Sequence, residues 1–363
     1  MIAAANAIRI NNAQTKIIFV GYNTPVTDIS TLTAVVINTV SYNVTSYGWG
    51  NTKWVIIDGF TGSGRILVDV TAPPPPAPAW VFVPVELSQW QSITPINSRL
   101  VSVAQSGTNR VMYSDDFGVN WAYVAVPDGE WQSITSINSR LVAVSLGGTN
   151  RLMYSDDSGL TWTTASVQAS SWRSITRINN RLVAVASGGT NRVMYSDDFG
   201  VTWAYVVVQA SNWRSITAIN NVLVAVASFG TNRVMYSNDF GLTWSFVSVL
   251  AENWASITTI NNRLVAVGQS GTNRVMYSDD FGLTWSFVSA PAENWASITV
   301  INSRLVAVSV NSGFGVAVMH SDDFGLTWSY TVVEGSSWTS ITTINNRLVA
   351  VAQNGTNRVM YST

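Results

Sequence analysis

Paired carboxylates are the residues of this sequence whose types and spacing first suggest chemistry. An eight-residue stretch, Ser-Asp-Asp-Phe-Gly-Leu-Thr-Trp in one copy, recurs six times with few changes, at 114–121, 155–162, 196–203, 237–244, 278–285 and 321–328. Two adjacent carboxylates could ligate calcium, but calcium prefers more oxygen ligands than two, and Asn238 replaces one carboxylate in the fourth copy. We therefore interpret the repeated turn as architecture rather than as six metal sites.

Composition excludes several classes of site. The 363-residue chain has no cysteine and a single histidine, His320, which rules out disulfides, thiolate nucleophiles and multi-histidine metal centres. Charged residues make up 11% of the chain and the formal net charge is −1, so long-range attraction to nucleic acid or to an anionic membrane is not expected. No apolar run approaches membrane-spanning length and no export signal is recognisable, so we predict no membrane insertion and no cofactor.

One unit is repeated over most of the chain. The string Trp-x-Ser-Ile-Thr recurs every 41 residues, and after 43 at the last step, starting at Trp90, Trp131, Trp172, Trp213, Trp254, Trp295 and Trp338. Each unit contains four β-prone runs separated by turns rich in Asn, Gly, Ser and Asp; in the fifth unit they are 253–260, 263–269, 274–278 and 284–289. Four antiparallel strands in about 40 residues are typical of a propeller blade. Seven units therefore predict an all-β, seven-bladed β-propeller over residues 80–363.

The two ends of the repeat region complement each other. Residues 80–86 align with the fourth run of a unit, whereas the last unit stops after its third run. We therefore predict that the N-terminal strand completes the last sheet. This strand exchange would close the ring and leave no open sheet edge.

The motif Ser-x-Asp-x-Gly-x-x-Trp resembles the Asp-box, or BNR repeat, of sialidases and of many unrelated propellers. The resemblance spans residues 80–363 and implies a sialidase-like fold in which an aspartate holds a tight turn, at Asp116, Asp157, Asp198, Asp239, Asp280 and Asp323. It does not extend to sialidase catalysis, because the chain has no Arg-Ile-Pro stretch and its arginines recur at equivalent places around the ring instead of converging. The glutamates lie in the loops between blades, at Glu86, Glu130, Glu252, Glu293 and Glu334. We therefore expect a non-enzymatic protein.

Turns alternate between the two faces of a propeller. The Asp-box face carries the Asp-boxes and the Asn-x-Arg turns between first and second strands. The GTNR face carries the Gly-Thr-Asn-Arg turns between second and third strands and the loops between blades. There each blade could offer an indole, an amide and a guanidinium to a sugar ring. The candidate ligand-binding residues are the seven tryptophans named above and Asn109, Arg110, Asn150, Arg151, Asn191, Arg192, Asn232, Arg233, Asn273, Arg274, Asn357 and Arg358.

Packing between blades is the competing interpretation of these residues. A tryptophan at the start of an inner strand often belongs to the core, and an arginine in a repeated turn often bonds carbonyls of the neighbouring blade. The sixth unit departs from the pattern, because an insertion replaces its GTNR turn and His320 stands where other units have tyrosine. Arg173, Arg177 and Arg214 add a basic spot on units three and four, which we interpret as solvated.

Residues 1–71 share no repeat with the propeller. They contain β-prone runs and precede a proline-rich linker, 72–79, which predicts a small β-rich anchoring or oligomerisation domain on a stiff stalk. This layout resembles that of phage and virion appendages. We therefore predict a virion-attached or extracellular propeller that binds host cell-surface glycans through repeated weak sites, with residues 1–71 contacting other virion proteins or further copies of the same protein. The alternatives are a structural propeller that docks another protein and, third, a sialidase-like glycosidase.

Overall fold

The chain divides into two compact units, Met1–Ala77 and Pro78–Thr363. The structure is a computed structural model that describes residues 79–310, 316–333 and 335–363, together with the backbone of seven strands between residues 8 and 69. In the first unit those strands span Ile8–Arg9, Lys16–Val20, Val26–Thr27, Ala34–Ile37, Val40–Trp49, Thr52–Ile57 and Arg65–Asp69. The predicted role of residues 1–71 and the proline-rich segment at 72–78 lie outside the described residues.

The second unit consists of seven four-stranded antiparallel sheets, as the repeat predicts. Blades 1 to 3 comprise Trp90–Ile96, Arg99–Ala104, Val111–Ser114 and Ala122–Val124; Trp131–Ile137, Arg140–Ser145, Leu152–Ser155 and Thr163–Thr164; and Trp172–Ile178, Arg181–Ala186, Val193–Ser196 and Ala204–Val206. Blades 4 and 5 comprise Trp213–Ile219, Val222–Ala227, Val234–Ser237 and Ser245–Val247; and Trp254–Ile260, Arg263–Gly268, Val275–Ser278 and Ser286–Val288. Blades 6 and 7 comprise Trp295–Ile301, Arg304–Ser309, Val316–Ser321 and Ser329–Val332; and Ser337–Ile344, Arg347–Asn354, Val359–Ser362 and Trp80–Val83.

The ring closes by strand exchange, as predicted. Trp80–Val83 pairs antiparallel with Val359–Ser362 and so becomes the outer strand of blade 7. At the far end of this pair the backbone N–H of Thr363 donates to the Ala79 carbonyl at 3.0 Å. The first and last repeats are therefore held together by a sheet whose strands come from opposite ends of the repeat region. Within the described residues, no helix has the length and apolarity needed to cross a membrane.

The apolar core lies between neighbouring blades. Second strands such as Val222–Ala227 are buried along nearly their whole length, because another sheet covers each of their faces. Between blades 3 and 4, for example, Val183 and Val185 pack against Trp213 and Leu223. Blade 1 packs in the same way on blade 7, so the core continues across the closure.

A ring of serine hydroxyls joins the inner strands of neighbouring blades. In each blade the Oγ of the serine in Trp-x-Ser-Ile-Thr accepts a hydrogen bond, 3.2–3.4 Å long, from the backbone N–H of the isoleucine in the next blade. The seventh bond, from Ile93 to Ser340, crosses the closure. The serine of this string therefore satisfies a backbone donor that an inner strand cannot satisfy within its own sheet.

Replacing Ser215 with alanine tests this ring. The substitution leaves the partly buried backbone N–H of Ile257 without its acceptor, so we expect the free energy of unfolding to fall by about 1–2 kcal/mol. Urea unfolding followed by tryptophan fluorescence measures the change. The exposed Ser245, on the outer strand of the same blade, provides the control, and Ser245→Ala should change stability by less than about 0.5 kcal/mol. Equal losses of stability at the two positions would show that the serine ring does not stabilise the propeller.

Candidate functional site

The repeated aspartates close the turns between third and fourth strands. In blade 4, Asp239 Oδ1 accepts from the Ser237 hydroxyl at 2.8 Å and from the Thr243 backbone N–H at 2.9 Å, and Oδ2 accepts from the Thr243 hydroxyl at 2.6 Å. The Gly241 N–H donates to Ser237 Oγ at 2.8 Å, and the Trp244 indole N–H donates to the Gly241 carbonyl at 3.1 Å. The carboxylate is thus surrounded by donors from its own turn.

This arrangement lowers the pKa of the carboxyl in all six copies. Burial alone would raise the pKa of Asp198, but hydrogen bonds donated by the Thr202 hydroxyl, the Thr202 and Val201 backbones and the Ser196 hydroxyl outweigh burial and lower it to about 2. The pKa of Asp157 is lowered to about 2 for the same reasons. The pKa values of Asp116, Asp239, Asp280 and Asp323 are also lowered. All six aspartates are therefore anionic acceptors at neutral pH, and none is poised as a general acid.

Backbone conformation adds a feature of the Asp-box that the sequence analysis missed. The residue before the glycine has a left-handed φ near +60°, at Phe117, Ser158, Phe199, Phe240, Phe281 and Phe324. The glycine that follows is left-handed too, with φ of +92° at Gly241. Phenylalanine is an uncommon choice for this conformation, and nothing in its type signals it.

The Asn-x-Arg arginines fasten the Asp-boxes. Arg263 donates to both carboxylate oxygens of Asp279 in its own blade, at 2.6 and 2.9 Å, and its guanidinium lies 4.3 Å from the centre of the Tyr277 ring. Its Nη1 donates to the Phe324 carbonyl in the Asp-box of the next blade at 3.1 Å. The same pattern raises the pKa of Arg99, chiefly through its hydrogen bond to Asp115. The first aspartate of each pair therefore binds an arginine and is not part of a metal pair; no cluster of metal-ligating side chains occurs in the part of the chain that the structure describes.

Burial corrects the prediction that the inner-strand tryptophans stack on a sugar. Their exposed fraction is 0% at Trp90, Trp131, Trp172, Trp213, Trp254, Trp295 and Trp338. Each indole ring lies in the core between two blades, and six of them donate their N–H to a carbonyl four residues earlier, as Trp213 does to Gln209 at 3.3 Å. A ring with no accessible face cannot contact a ligand.

The arginines and asparagines of the GTNR turns also join blades. Arg192 Nη1 donates to the Ser187 carbonyl at 2.6 Å and to the Ser211 carbonyl, in the loop that enters the next blade, at 2.7 Å. Equivalent bonds to that loop are made by Arg110, Arg151, Arg233, Arg274 and Arg358. The amides of Asn109, Asn150, Asn191 and Asn232 donate to side chains or carbonyls of the preceding loop. Asn273 donates through its backbone to Glu252, and Asn357 accepts from the Ser336 hydroxyl through its carbonyl. These groups stabilise the ring, and their contact with a sugar stays a prediction.

A cavity of about 390 Å³ lies at the centre of the ring, where all seven blades meet. We call it the central mouth. Its lining comes from the residue after each inner tryptophan, at Gln91, Gln132, Arg173, Arg214, Ala255, Ala296 and Thr339, and from the end of the second strands, at Gln105, Gln269, Val310 and Gln353. Because the second strands end there in the GTNR turns, the central mouth opens on the GTNR face.

One of the positions that vary among the units lines this mouth. The Asn-x-Arg turns and the Asp-boxes are nearly the same in every unit, whereas the residue after the inner tryptophan is Gln, Gln, Arg, Arg, Ala, Ala and Thr in succession. Equivalent positions in a ring carry equivalent packing constraints. The position after the inner tryptophan is therefore one that packing leaves free, and its seven copies converge on one cavity.

Two arginines give the mouth its charge. Arg173 and Arg214 are half-buried on adjacent blades, which corrects the prediction that they are merely solvated; Arg177, at the other end of the blade 3 strand, is exposed. Burial lowers the pKa of Arg173 to about 10, with a contribution from the like charge of Arg214, and burial lowers the pKa of Arg214 as well. Both remain cationic at neutral pH. The sequence signal that could have located them is their place in the repeat, directly after an inner tryptophan.

His320 is half-buried in the third strand of blade 6, opposite Val306. Burial lowers its pKa, and the nearby charge of Arg304 lowers it further. It occupies the position at which the other blades place a tyrosine beside the Asn-x-Arg arginine. The insertion at 311–315 and the loop residue Glu334 lie outside the described residues.

Comparison with known proteins agrees with this architecture. The BNR/Asp-box repeat matches residues 276–287, and no curated protein matches the sequence. YCF48 from Cyanidioschyzon merolae has a similar structure, with a TM-score of 0.59 and 14% identity over 78% of this chain and 98% of that one. YCF48 bound to D1 peptide gives a TM-score of 0.62 and 16% identity over 78% and 96%. A catalytically inactive virginiamycin B lyase from Staphylococcus aureus with quinupristin gives 0.65 and 11% over 78% and 99%.

Identities this low show a shared fold and nothing about activity. The matched repeat, however, coincides with one of the six turns whose aspartates the hydrogen bonds above enclose. The protein is therefore a seven-bladed β-propeller built on BNR/Asp-box repeats.

Proposed function

We propose that this propeller is a non-enzymatic binding protein that docks a peptide or protein partner on its GTNR face, at the central mouth. The observation that carries the proposal is that one variable position of all seven units converges on one cavity. In a ring whose repeated polar groups fasten blade to blade, that cavity gathers from every unit one position that differs from unit to unit. Such divergence is typical of a surface that recognises an asymmetric partner.

Two further observations support a peptide over a glycan. The indoles that would stack on sugars are buried, and no aromatic residue is among the described residues lining the mouth. A propeller of similar fold, YCF48, holds a peptide. The docking function was the alternative hypothesis from the sequence, and it replaces glycan recognition as the favoured one. Display on a virion or at an extracellular surface stays a prediction from the layout of the sequence.

The absence of catalysis is also part of the proposal. The carboxylates of the six Asp-boxes accept hydrogen bonds from their own turns, and the Asn-x-Arg arginines bind the adjacent aspartates. These groups are spread around the ring at equivalent positions of different blades, whereas a glycosidase needs two carboxylates close together. A fluorogenic sialoside incubated with the protein should therefore show no turnover above the buffer rate.

Selection from a random 12-residue peptide library displayed on phage, with the full-length protein immobilised, tests the docking function. Peptides that the protein enriches should bind Ala296→Trp, which fills the mouth, at least tenfold more weakly. They should bind Leu283→Trp, at a residue already 50% exposed in an Asp-box, as well as they bind the original protein. Thermal melting verifies that both variants fold. Failure to enrich any peptide, or equal binding by the two variants, would reject the mouth as a docking site, and binding on a glycan array would restore the earlier hypothesis.

A further inference from the structure

Arg173 and Arg214 differ from the other repeated arginines in what they contact. An Asn-x-Arg arginine such as Arg263 binds a carboxylate in a two-bond fork, and a GTNR arginine such as Arg192 binds two carbonyls. Arg173 donates instead to neutral side chains, to Gln132 Oε1 at 2.9 Å and to Ser187 Oγ at 3.3 Å. Arg214 has no hydrogen-bond partner among the described residues of the propeller.

No acidic group occupies the mouth beside these arginines. None of the described residues that line it is an aspartate or glutamate. Glu130 attracts Arg173 electrostatically without a hydrogen bond between them, while Arg214 repels it. A half-buried guanidinium that faces another of the same charge is destabilising unless an anion compensates it. The protein therefore holds two cations together, and its own residues offset the cost only in part, through Glu130 and the neutral acceptors of Arg173.

The opposite side of the mouth leaves room for that anion. Blades 5, 6 and 7 place Ala255, Ala296 and Thr339 at the positions where blades 1 to 4 place glutamines and arginines. A cavity of about 390 Å³ with one wall of short side chains can accept one or two side chains of a peptide, but not a folded domain. The glutamines make the rest of the wall polar, and Gln132 and Gln91 donate to the amide oxygens of Gln105 and Gln353 across blade boundaries.

An exposed apolar side chain lies on the same blade as Arg214. The GTNR turn of blade 4, the blade of Arg214, carries Phe229 with 55% of its surface exposed. The corresponding position in the other blades with this turn is small or polar, at Ser106, Gly147, Gly188, Ser270 and Asn354. An exposed phenylalanine on the same face and the same blade as an unpaired arginine is suited to a peptide with an acidic residue near an apolar one.

We propose that Arg173 and Arg214 bind a carboxylate of the docked peptide, from an acidic residue or from the peptide's own C-terminus, while Phe229 contacts an apolar neighbour of that residue. This inference rests on the proposed docking function and specifies its ligand chemistry. The planar carboxylate matches the guanidinium fork, and each charge-assisted hydrogen bond is strongest where water is partly excluded. The site should therefore bind a carboxylate more tightly than a neutral amide of the same shape.

The experiment follows the arginine Nε–Hε resonances of the full-length protein by NMR during titration with small probes. N-acetylglutamate α-amide presents the carboxylate of an acidic residue, N-acetylglycine presents a terminal carboxylate, and N-acetylglutamine α-amide is the neutral isostere. The Arg173 and Arg214 signals should shift saturably with one or both carboxylates and not with the glutamine probe. Arg99 and Arg263, which aspartates already occupy, provide internal controls and should not move.

Two variants distinguish carboxylate binding at this site from nonspecific attraction to positive charge. Arg214→Gln should weaken carboxylate binding about 10- to 100-fold, whereas Arg177→Gln, which removes the same charge from an exposed residue of the blade 3 strand, should leave it unchanged. Equal loss in the two variants, equal binding of sulfate, or preference for 3′-sialyllactose would overturn the inference. If the library yields mouth-dependent peptides without acidic residues, docking survives and the carboxylate inference fails. If the library yields no peptide although the carboxylates bind, the site is an adventitious anion site and both proposals fail.

Discussion

Replacing Trp254 with alanine is expected to lower the free energy of unfolding by about 3–5 kcal/mol. The indole has no exposed surface and packs between blades 4 and 5 against Val224 and Leu264. Its ring lies 6.2 Å from that of Phe287, in a stacked arrangement that adds to the burial. Removing it leaves a cavity that the flanking sheets cannot close, because each is held by its own hydrogen bonds.

Urea unfolding followed by circular dichroism measures this loss. Leu283→Ala, at a residue 50% exposed in the neighbouring Asp-box, is the control and should change stability by less than about 0.5 kcal/mol. The measurement also separates the two interpretations of the tryptophan series. An indole held at the surface for a ligand would cost little when removed, so a loss below about 1 kcal/mol would contradict the buried position.

Acid is expected to destabilise the propeller through its six Asp-boxes. The folded pKa values of these carboxyls are lowered, to about 2 at Asp157 and Asp198, whereas the pKa of an aspartate in the unfolded chain stays near 3.8. The stabilisation is therefore complete above the unfolded pKa and is lost as pH falls through the window from about 5 to 2. The unfolded chain binds more protons throughout this window, so lowering the pH favours it.

The size of the acid effect follows from the number of boxes. Each carboxylate lies near solvent, so we discount its contribution to about 0.5 kcal/mol, and six of them give roughly 3 kcal/mol. Urea midpoints at pH 7, 4 and 2.5 test the expectation. Asp239→Asn should start from a lower stability at pH 7 and lose less of it between pH 5 and 2.5. A stability that stays constant from pH 5 to 2.5 would show that these aspartates do not act as charged acceptors.

Periodicity predicted the architecture because one unit is repeated with little change. The spacing of the Trp-x-Ser-Ile-Thr strings specified seven blades, and the mismatch between the two ends of the repeat region specified the exchanged strand Trp80–Val83. Repeats carry such information well, since each copy confirms the assignment of the others. The Asp-box added the identity of one turn, which the hydrogen bonds of Asp239 show in detail.

The same repetition made the candidate site at the central mouth hard to identify from the sequence. Trp213 and Arg192 recur in nearly every unit, which is compatible with either repeated binding or repeated packing, and only the direction of each side chain separates the two. Arg173 and Arg214 break the pattern, but a charged residue on a strand is usually solvated, and the sequence does not show that seven such positions meet at one point. Under the proposed function, departures from the repeat that converge in space, rather than the repeat itself, are the signal for a binding site.

The exchanged strand in blade 7 also bears on how long the folded protein persists. Six blades are built from consecutive strands, whereas Trp80–Val83 is held on Val359–Ser362 by strand pairing and by the packing of Trp80 and Phe82, with no connecting hairpin. Release of these four residues is the first opening that requires no hairpin to be broken. We therefore expect the lifetime of the native ring under heat or protease to depend on the dissociation rate of this short segment, a kinetic quantity that the summed stability of the blades does not determine.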